Sequence, residues 1–215
     1  RSAYQGLCEQ LGEPDAPVAV RSSATAEDLP EASFAGQQES FLNVRGADAV
    51  VEAYHRCVIS LFGDRAIAYR AENGFGHLDV ALSVGIQHMV RSDTGSAGVI
   101  FTIDPESGFP HHVLIDAAWG LGEAVVSGVV DSDRYRVFKP FLDDAGLVPI
   151  VERSVGRKLL KIVNSEEGSS GVADGPTVTV ETTEEERRAL VLTDADLLAL
   201  ARWAVVIENH YDRPM

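Results

Sequence analysis

The stretch from Arg21 to Val44, RSSATAEDLPEASFAGQQESFLNV, constrains this chain more than any other segment. It follows Val18-Ala19-Val20, which reads as a short buried strand, so Arg21 stands at a strand's carboxyl end, where ligands collect. A guanidinium there offers a planar fork of donors that grips phosphate oxygens bidentately, and Ser22, Ser23 and Thr25 add hydroxyls that donate to the same oxygens. Ser33-Phe34-Ala35-Gly36 then places small residues and a glycine where backbone amides can approach a ligand without a side chain in the way. Gln37 and Gln38 can supply neutral amide contacts. A polar surface loop in which Arg21 pairs with Glu27 or Asp28 fits the same residues, and Glu27, Asp28, Glu31 and Glu39 outnumber the one arginine.

The rest of the composition narrows the function classes. A net charge of −15 with no basic patch argues against nucleic acid and against anionic membrane surfaces. No apolar run approaches the ~18 residues that span a bilayer, and Arg1-Ser2-Ala3-Tyr4-Gln5 lacks the layout of a signal peptide, so the expected location is the cytoplasm. Cys8 and Cys57 have no metal-type spacing and read as free buried thiols. The first residues read as a helix already under way and Met215 follows Arg213-Pro214 abruptly, which suggests a fragment.

Along the chain, Val50, Ala53, Tyr54, Cys57, Val58, Leu61 and Phe62 repeat at helical spacing, and a second helix is expected from about Arg65 to Glu72. Val80, Leu82, Val84 and Ile86 alternate with Ala81, Ser83, Gly85 and Gln87, the period of a half-buried strand, with Gln87 and Met89 on the other face. Further strands are expected at 98–103, 112–118, 134–138, 147–153 and 159–163, and a glycine- and serine-rich loop at 165–175. Thr193-Asp194-Ala195-Asp196 resembles a capping box that opens a last helix. Strands and helices mix without regular alternation, which favours the α+β class.

Smaller signals have plain readings. Gly120-Leu121-Gly122-Glu123 is a short glycine motif at a strand end, where Glu123 can meet ribose hydroxyls or stand as a surface residue at a helix start. His111 and His112 are adjacent and read as solvated loop residues whose rings point to opposite faces. No histidine has the serine or aspartate company of a nucleophilic triad.

Taken together, the Arg21–Val44 stretch, LFGDRAIAYR (61–70), QHMVRSD (87–93), SAGVIFTIDPESGF (96–109), AWGLGEAVVSG (118–128) and HYDRPM (210–215) resemble, in one uninterrupted order, the nucleotide-binding domain of the phosphoenolpyruvate synthase family. The related pyruvate phosphate dikinases and rifampicin phosphotransferases share the Arg21 loop and the GLGE block, whereas the RSD turn and the DPESGF ending are closer to the synthases. The alternatives are therefore the ATP module of an antibiotic kinase or a nucleotide-binding fragment without activity.

The resemblance implies an ATP-grasp fold with ATP held in the cleft between two lobes, here 1–90, with the phosphate loop and the adenine-side strand, and 91–215, incomplete at both ends. It implies a kinase of pyruvate metabolism and gluconeogenesis that converts ATP, pyruvate and water to phosphoenolpyruvate, AMP and phosphate through a phosphohistidine on a separate swivelling domain. Arg21 matches the family arginine on the ATP phosphates, and its guanidinium would stabilise charge on the transferring group. Gly36 and Gln37 match the glycine loop that closes over the phosphates. Gln87, Met89 and Val90 match the segment that receives adenine, and Glu123 matches a position near the nucleotide. The family's N-terminal lysine, the acidic ligand of its Mg²⁺, the carrier histidine and the pyruvate site have no counterpart in this chain. The resemblance thus implies that the isolated chain does not complete the reaction.

Overall fold

The structure is a computed structural model that describes residues 1–24, 28–29, 32–33, 40–144, 146–165 and 177–215. It divides into two compact units, one of residues 1–90 with 170–177 and one of 91–169 with 178–215. Both mix helices with antiparallel sheet, as an α+β chain does.

In the first unit, helix α1 (Ser2–Leu11) leads to strand β1 (Val18–Ala24). The short strands β2 (Asp28–Leu29) and β3 (Ala32–Ser33) pair with each other, and β4 (Ser40–Val44) follows. Helices α2 (Ala47–Ser60) and α3 (Asp64–Glu72) precede β5 (Leu82–His88). The sheet order is β4-β1-β5, with β1 antiparallel to both neighbours. The helical spacing of Val50, Ala53 and Cys57 puts all three on one face of α2, where they bury against Val18 and Val20 of β1 and Tyr4 and Cys8 of α1. The Tyr4 hydroxyl donates to Ala16 O and accepts from Gly46 N, which ties α1 to the start of α2. Both cysteines are buried in this unit, and neither is in a disulfide. The period-two run that begins at Val80 enters the sheet only at Leu82, because Asp79 N closes a turn onto Gly76 O. Arg70, from the LFGDRAIAYR block, is buried and donates through Nη2 to Leu61 O at 2.5 Å, so that block closes the α2–α3 corner.

The second unit is built on a four-stranded antiparallel sheet in chain order: β6 (Ser96–Phe101), β7 (His112–Trp119), β8 (Asp133–Phe138) and β9 (Ile150–Ser154). A short helix α4 (Glu123–Val126) follows β7, and β10 (Leu160–Asn164) pairs with β11 (Thr177–Glu181), all but whose first residue belongs to this unit. Helices α5 (Glu184–Arg188) and α6 (Asp194–Tyr211) each open on a capping box, Thr183 with Glu186 and Thr193 with Asp196. One sheet face carries Val113, Ile115, Ala117, Tyr135 and Val137 against Leu197, Ala201 and Ala204 of α6. Strand β9 starts at Ile150 and not near Leu147, because Gly146 N and Leu147 N both turn back onto Asp144. His112 opens β7 and is not a solvated loop residue: its ring and that of His111 both meet Phe109 and Phe138 edge-on.

Asp133 and Lys158 form a fully buried ion pair inside this unit, with side chains 0% and 1% exposed. The Asp133 carboxylate also accepts from Gly156 N at 2.8 Å, Val191 N at 2.8 Å and the Tyr135 hydroxyl at 3.1 Å. Removing one partner of such a pair strands a charge, so Lys158→Met should cost about 3–5 kcal/mol in urea unfolding, and Asp133→Asn on that background should return part of it. Equal stability of Lys158→Met and the native chain would show that the pair does not hold the unit.

Acid should weaken the same unit in two stages. Burial, with Arg136 assisting, holds the His112 imidazole below its ordinary value, so the unfolded chain protonates first as pH falls. Arg91 holds Asp93 low, the Glu106 and Ser107 amides hold Asp104 low, and Arg157 holds Asp131 low. These carboxylates contribute stability above the ordinary carboxylate range and lose it as pH falls through their depressed values. The urea midpoint should therefore fall from about pH 7 to about 5.5 and again toward about 3.5, the first step being smaller in His112→Phe. An unchanged first step in that variant would remove His112 from the account.

Candidate functional site

Strand alternation decides which side chains accompany Arg21. In the β1–β5 ladder Arg21 stands opposite Gly85, Ala19 opposite Gln87 and Ser23 opposite Ser83, and on the other side Arg21 stands opposite Ser40. Directly opposed residues share a face, so Arg21, Ser23, Ser40, Ser83, Gly85 and Gln87 lie together on the face turned away from α2, and all are exposed. Val18, Val20 and Ser22 take the α2 face, which puts the Ser22 side chain on the opposite side of the sheet from the Arg21 guanidinium. Among the described residues no hydrogen bond or ion pair engages that guanidinium. Its neighbours are hydroxyls and a residue without a side chain, which leaves its donors open to an incoming anion.

Gln87 sits diagonally from Arg21 on this face with its amide exposed. Met89 lies past the end of β5, is 6% exposed, and spends its N–H on Pro17 O at 2.9 Å. Val90 is 78% exposed, and among the described residues nothing accepts from its N–H. Met89 and Gln87 therefore do not present alike. Gly36 and Gln37 lie outside the described residues, as do Thr25, Glu27, Phe34, Ala35, Gln38 and nearly all of the 165–175 loop.

Glu123 belongs to the second unit, as the exposed first residue of α4. The motif before it is held by backbone: Gly120 has φ 86°, Leu121 N donates to Ile162 O at 2.8 Å, and a Cβ at Gly120 would overlap that same carbonyl. Only glycine meets both demands at that position.

The face of the second sheet turned away from α6 is charged but internally matched. Arg134 grips Asp116 through Nε at 3.0 Å and Nη2 at 3.3 Å and reaches Glu106 at 2.9 Å, partners that raise its already high pKa further. Arg136 pairs with Glu152 and lies near Asp104. These arginines are already committed to carboxylates, unlike Arg21. Sequence reading had no signal for Ser40, Ser83 and Gly85 as companions of Arg21, since register across strands is not local information. Among the described residues no three His, Cys, Asp or Glu side chains gather to hold a metal. No helix among them is long and apolar enough to cross a membrane.

Comparison with known proteins shows the family. The family described as "Pyruvate phosphate dikinase, AMP/ATP-binding domain" matches residues 1–215. The chain is 53% identical over 213 residues to a phosphoenolpyruvate synthase of Synechocystis sp., covering 97% of this chain and 25% of that protein. It is 51% identical to the Helicobacter pylori phosphoenolpyruvate synthase over 98% of this chain and 25% of that protein, and 50% identical to the Escherichia coli one over 100% and 26%. The chain thus spans about a quarter of the length of these relatives. With its whole length matched and half its residues shared with those relatives, this chain is a member of the pyruvate phosphate dikinase AMP/ATP-binding domain family.

Proposed function

We propose that this chain is the ATP-binding part of a phosphoenolpyruvate synthase, and that Arg21 is the residue that grips the nucleotide's phosphates. The observation that carries the reading is an exposed guanidinium with no partner among the described residues, set among serines and a glycine on an open sheet face. A triphosphate needs that arrangement, because in a chain of net charge −15 attraction must come from a local, uncommitted cation. The names of the relatives support phosphoenolpyruvate synthesis as the reaction class. In this reading ATP, pyruvate and water give phosphoenolpyruvate, AMP and phosphate through a carrier histidine on another domain.

In this reading the fold is of the ATP-grasp type and the enzyme acts in the cytoplasm. Gly36 and Gln37 cover the phosphates, and Ser22 supports Arg21 from within β1. Gln87 and the N–H of Val90 read the adenine edge, with Met89 as the buried support beneath them, and Glu123 lies near the nucleotide. Magnesium enters as the counter-ion that ATP carries, and its protein ligands come from sequence outside this chain. Arg21 holds the nucleotide's phosphates in place and offsets the charge that builds on their oxygens during transfer.

Calorimetric titration with ATP and magnesium tests the central assignment. Arg21→Ala should weaken binding at least about tenfold, the equivalent of ~1.4 kcal/mol. Equal affinity in both chains would remove Arg21 from the site. Gln87→Ala should weaken ATP while leaving inorganic tripolyphosphate unchanged, since only the nucleotide has a base to read. A parallel loss for both ligands would place Gln87 on the phosphates instead.

A further inference from the structure

Two glycines lie inside strands among the described residues, Gly85 in β5 and Gly98 in β6. A glycine there weakens its strand, so it marks either a demand of the fold or the close approach of something else. Gly98 answers a demand of the fold, since a Cβ there would overlap Asp116 O. Gly85 answers none. Its φ is not positive, and among the described residues a Cβ built on it meets only Arg21 O, at 3.8 Å, an ordinary van der Waals contact. Its main-chain groups are spent on the ladder: Met89 N bonds Pro17 O, and in the unbroken β1–β5 register that alternation makes Arg21 and Gly85 a pair that exchanges both bonds. What glycine leaves is a bare, exposed strip of main chain, with Arg21 directly across it and Gln87 about 7 Å along the strand on the same face.

We propose that Gly85 is a specificity-determining position of the nucleotide site, where the ribose lies flat on the bare main chain between a base held at Gln87 and phosphates held at Arg21. The inference rests on those roles of Arg21 and Gln87 and adds the part of the ligand that joins them. Side chains stand roughly perpendicular to a sheet, so a methyl at Gly85 would lift the sugar off the strand and draw the base and the phosphates away from both anchors. Hydrogen bonds weaken steeply with such misplacement. The fold, by contrast, has room for the methyl and gains a residue better suited to a strand. Larger residues at this position therefore stabilise the first unit and weaken the nucleotide, two effects of opposite direction from one change.

Urea unfolding and calorimetric titration of Gly85→Ala, Gly85→Val and Arg21→Ala, on the polypeptide at the length of its relatives, test the proposal with magnesium, a non-hydrolysable ATP analogue and inorganic tripolyphosphate. Gly85→Ala should weaken the ATP analogue at least about tenfold and Gly85→Val at least about 100-fold, with urea midpoints at or above the native one and with tripolyphosphate unaffected. Native affinity for the analogue in both Gly85 variants, with the loss confined to Arg21→Ala, would overturn this inference and leave Arg21 in place. Native affinity in all three would remove Arg21 and this inference together. A urea midpoint lowered by Gly85→Ala would show that the fold itself requires the glycine, and an equal loss of tripolyphosphate would put phosphates and not the sugar over it; either result overturns the proposal.

Discussion

The second unit depends on one buried carboxylate. Asp133 sits at the start of β8 with no solvent access, and an isolated charge there would be expensive. It is tolerated because every lone-pair direction is used: Lys158 and Gly156 N on one oxygen, Tyr135 hydroxyl and Val191 N on the other. Tyr135 in turn accepts from Leu192 N at 3.2 Å, and burial pushes its phenol up to about 12. The consequence is geometric. One side chain fixes β8, the turn at 156–158 and the segment that launches α6, and Lys158 accepts a left-handed φ of 42° to reach it. From that turn the chain runs into β10, whose Ile162 carbonyl holds Leu121 and excludes any side chain at Gly120. The glycine motif before Glu123 is thus positioned by an ion pair far from it in sequence.

The two sheets use the same device to different ends. Each buries one face under a helix. In the second unit the other face holds cross-strand pairs, Arg134 with Asp116 and Arg136 with Glu152, which satisfy each other. In the first unit the open face carries one guanidinium among small residues, with nothing to neutralise it among the described residues. A phosphate competes poorly for an arginine already held by a bidentate carboxylate and well for one that is not. That contrast distinguishes Arg21 from Arg134 and Arg136 more sharply than its place in a motif does.

Much of the fold was legible in the sequence because its signals are local. The stripe of Val50, Ala53 and Cys57, the alternation through Val84 and Ile86, and the capping box at Thr193 each specify an element from neighbours a few residues apart, and each element forms. Strand starts at Leu82 and Ile150 were misplaced because turns at Gly76–Asp79 and Asp144–Leu147 consume apolar residues that look like strand. His112 was misread for a related reason, since its packing between Phe109 and Phe138 joins residues that only the folded hairpin brings together. At the candidate site, the importance of Arg21 was readable from its chemistry and the family blocks. Its companions were not. That Ser23 and not Ser22 shares its face, and that Gly85 lies opposite, follows from the β1–β5 register. The burial of Met89 depends likewise on a bond to Pro17 far away in sequence.

The most direct test of this account is a crystal structure of the chain with magnesium and a non-hydrolysable ATP analogue. The account predicts triphosphate oxygens within about 3 Å of the Arg21 guanidinium, on the sheet face that carries Gly85 and Gln87. Phosphates bound elsewhere, with Arg21 still facing solvent, would contradict it.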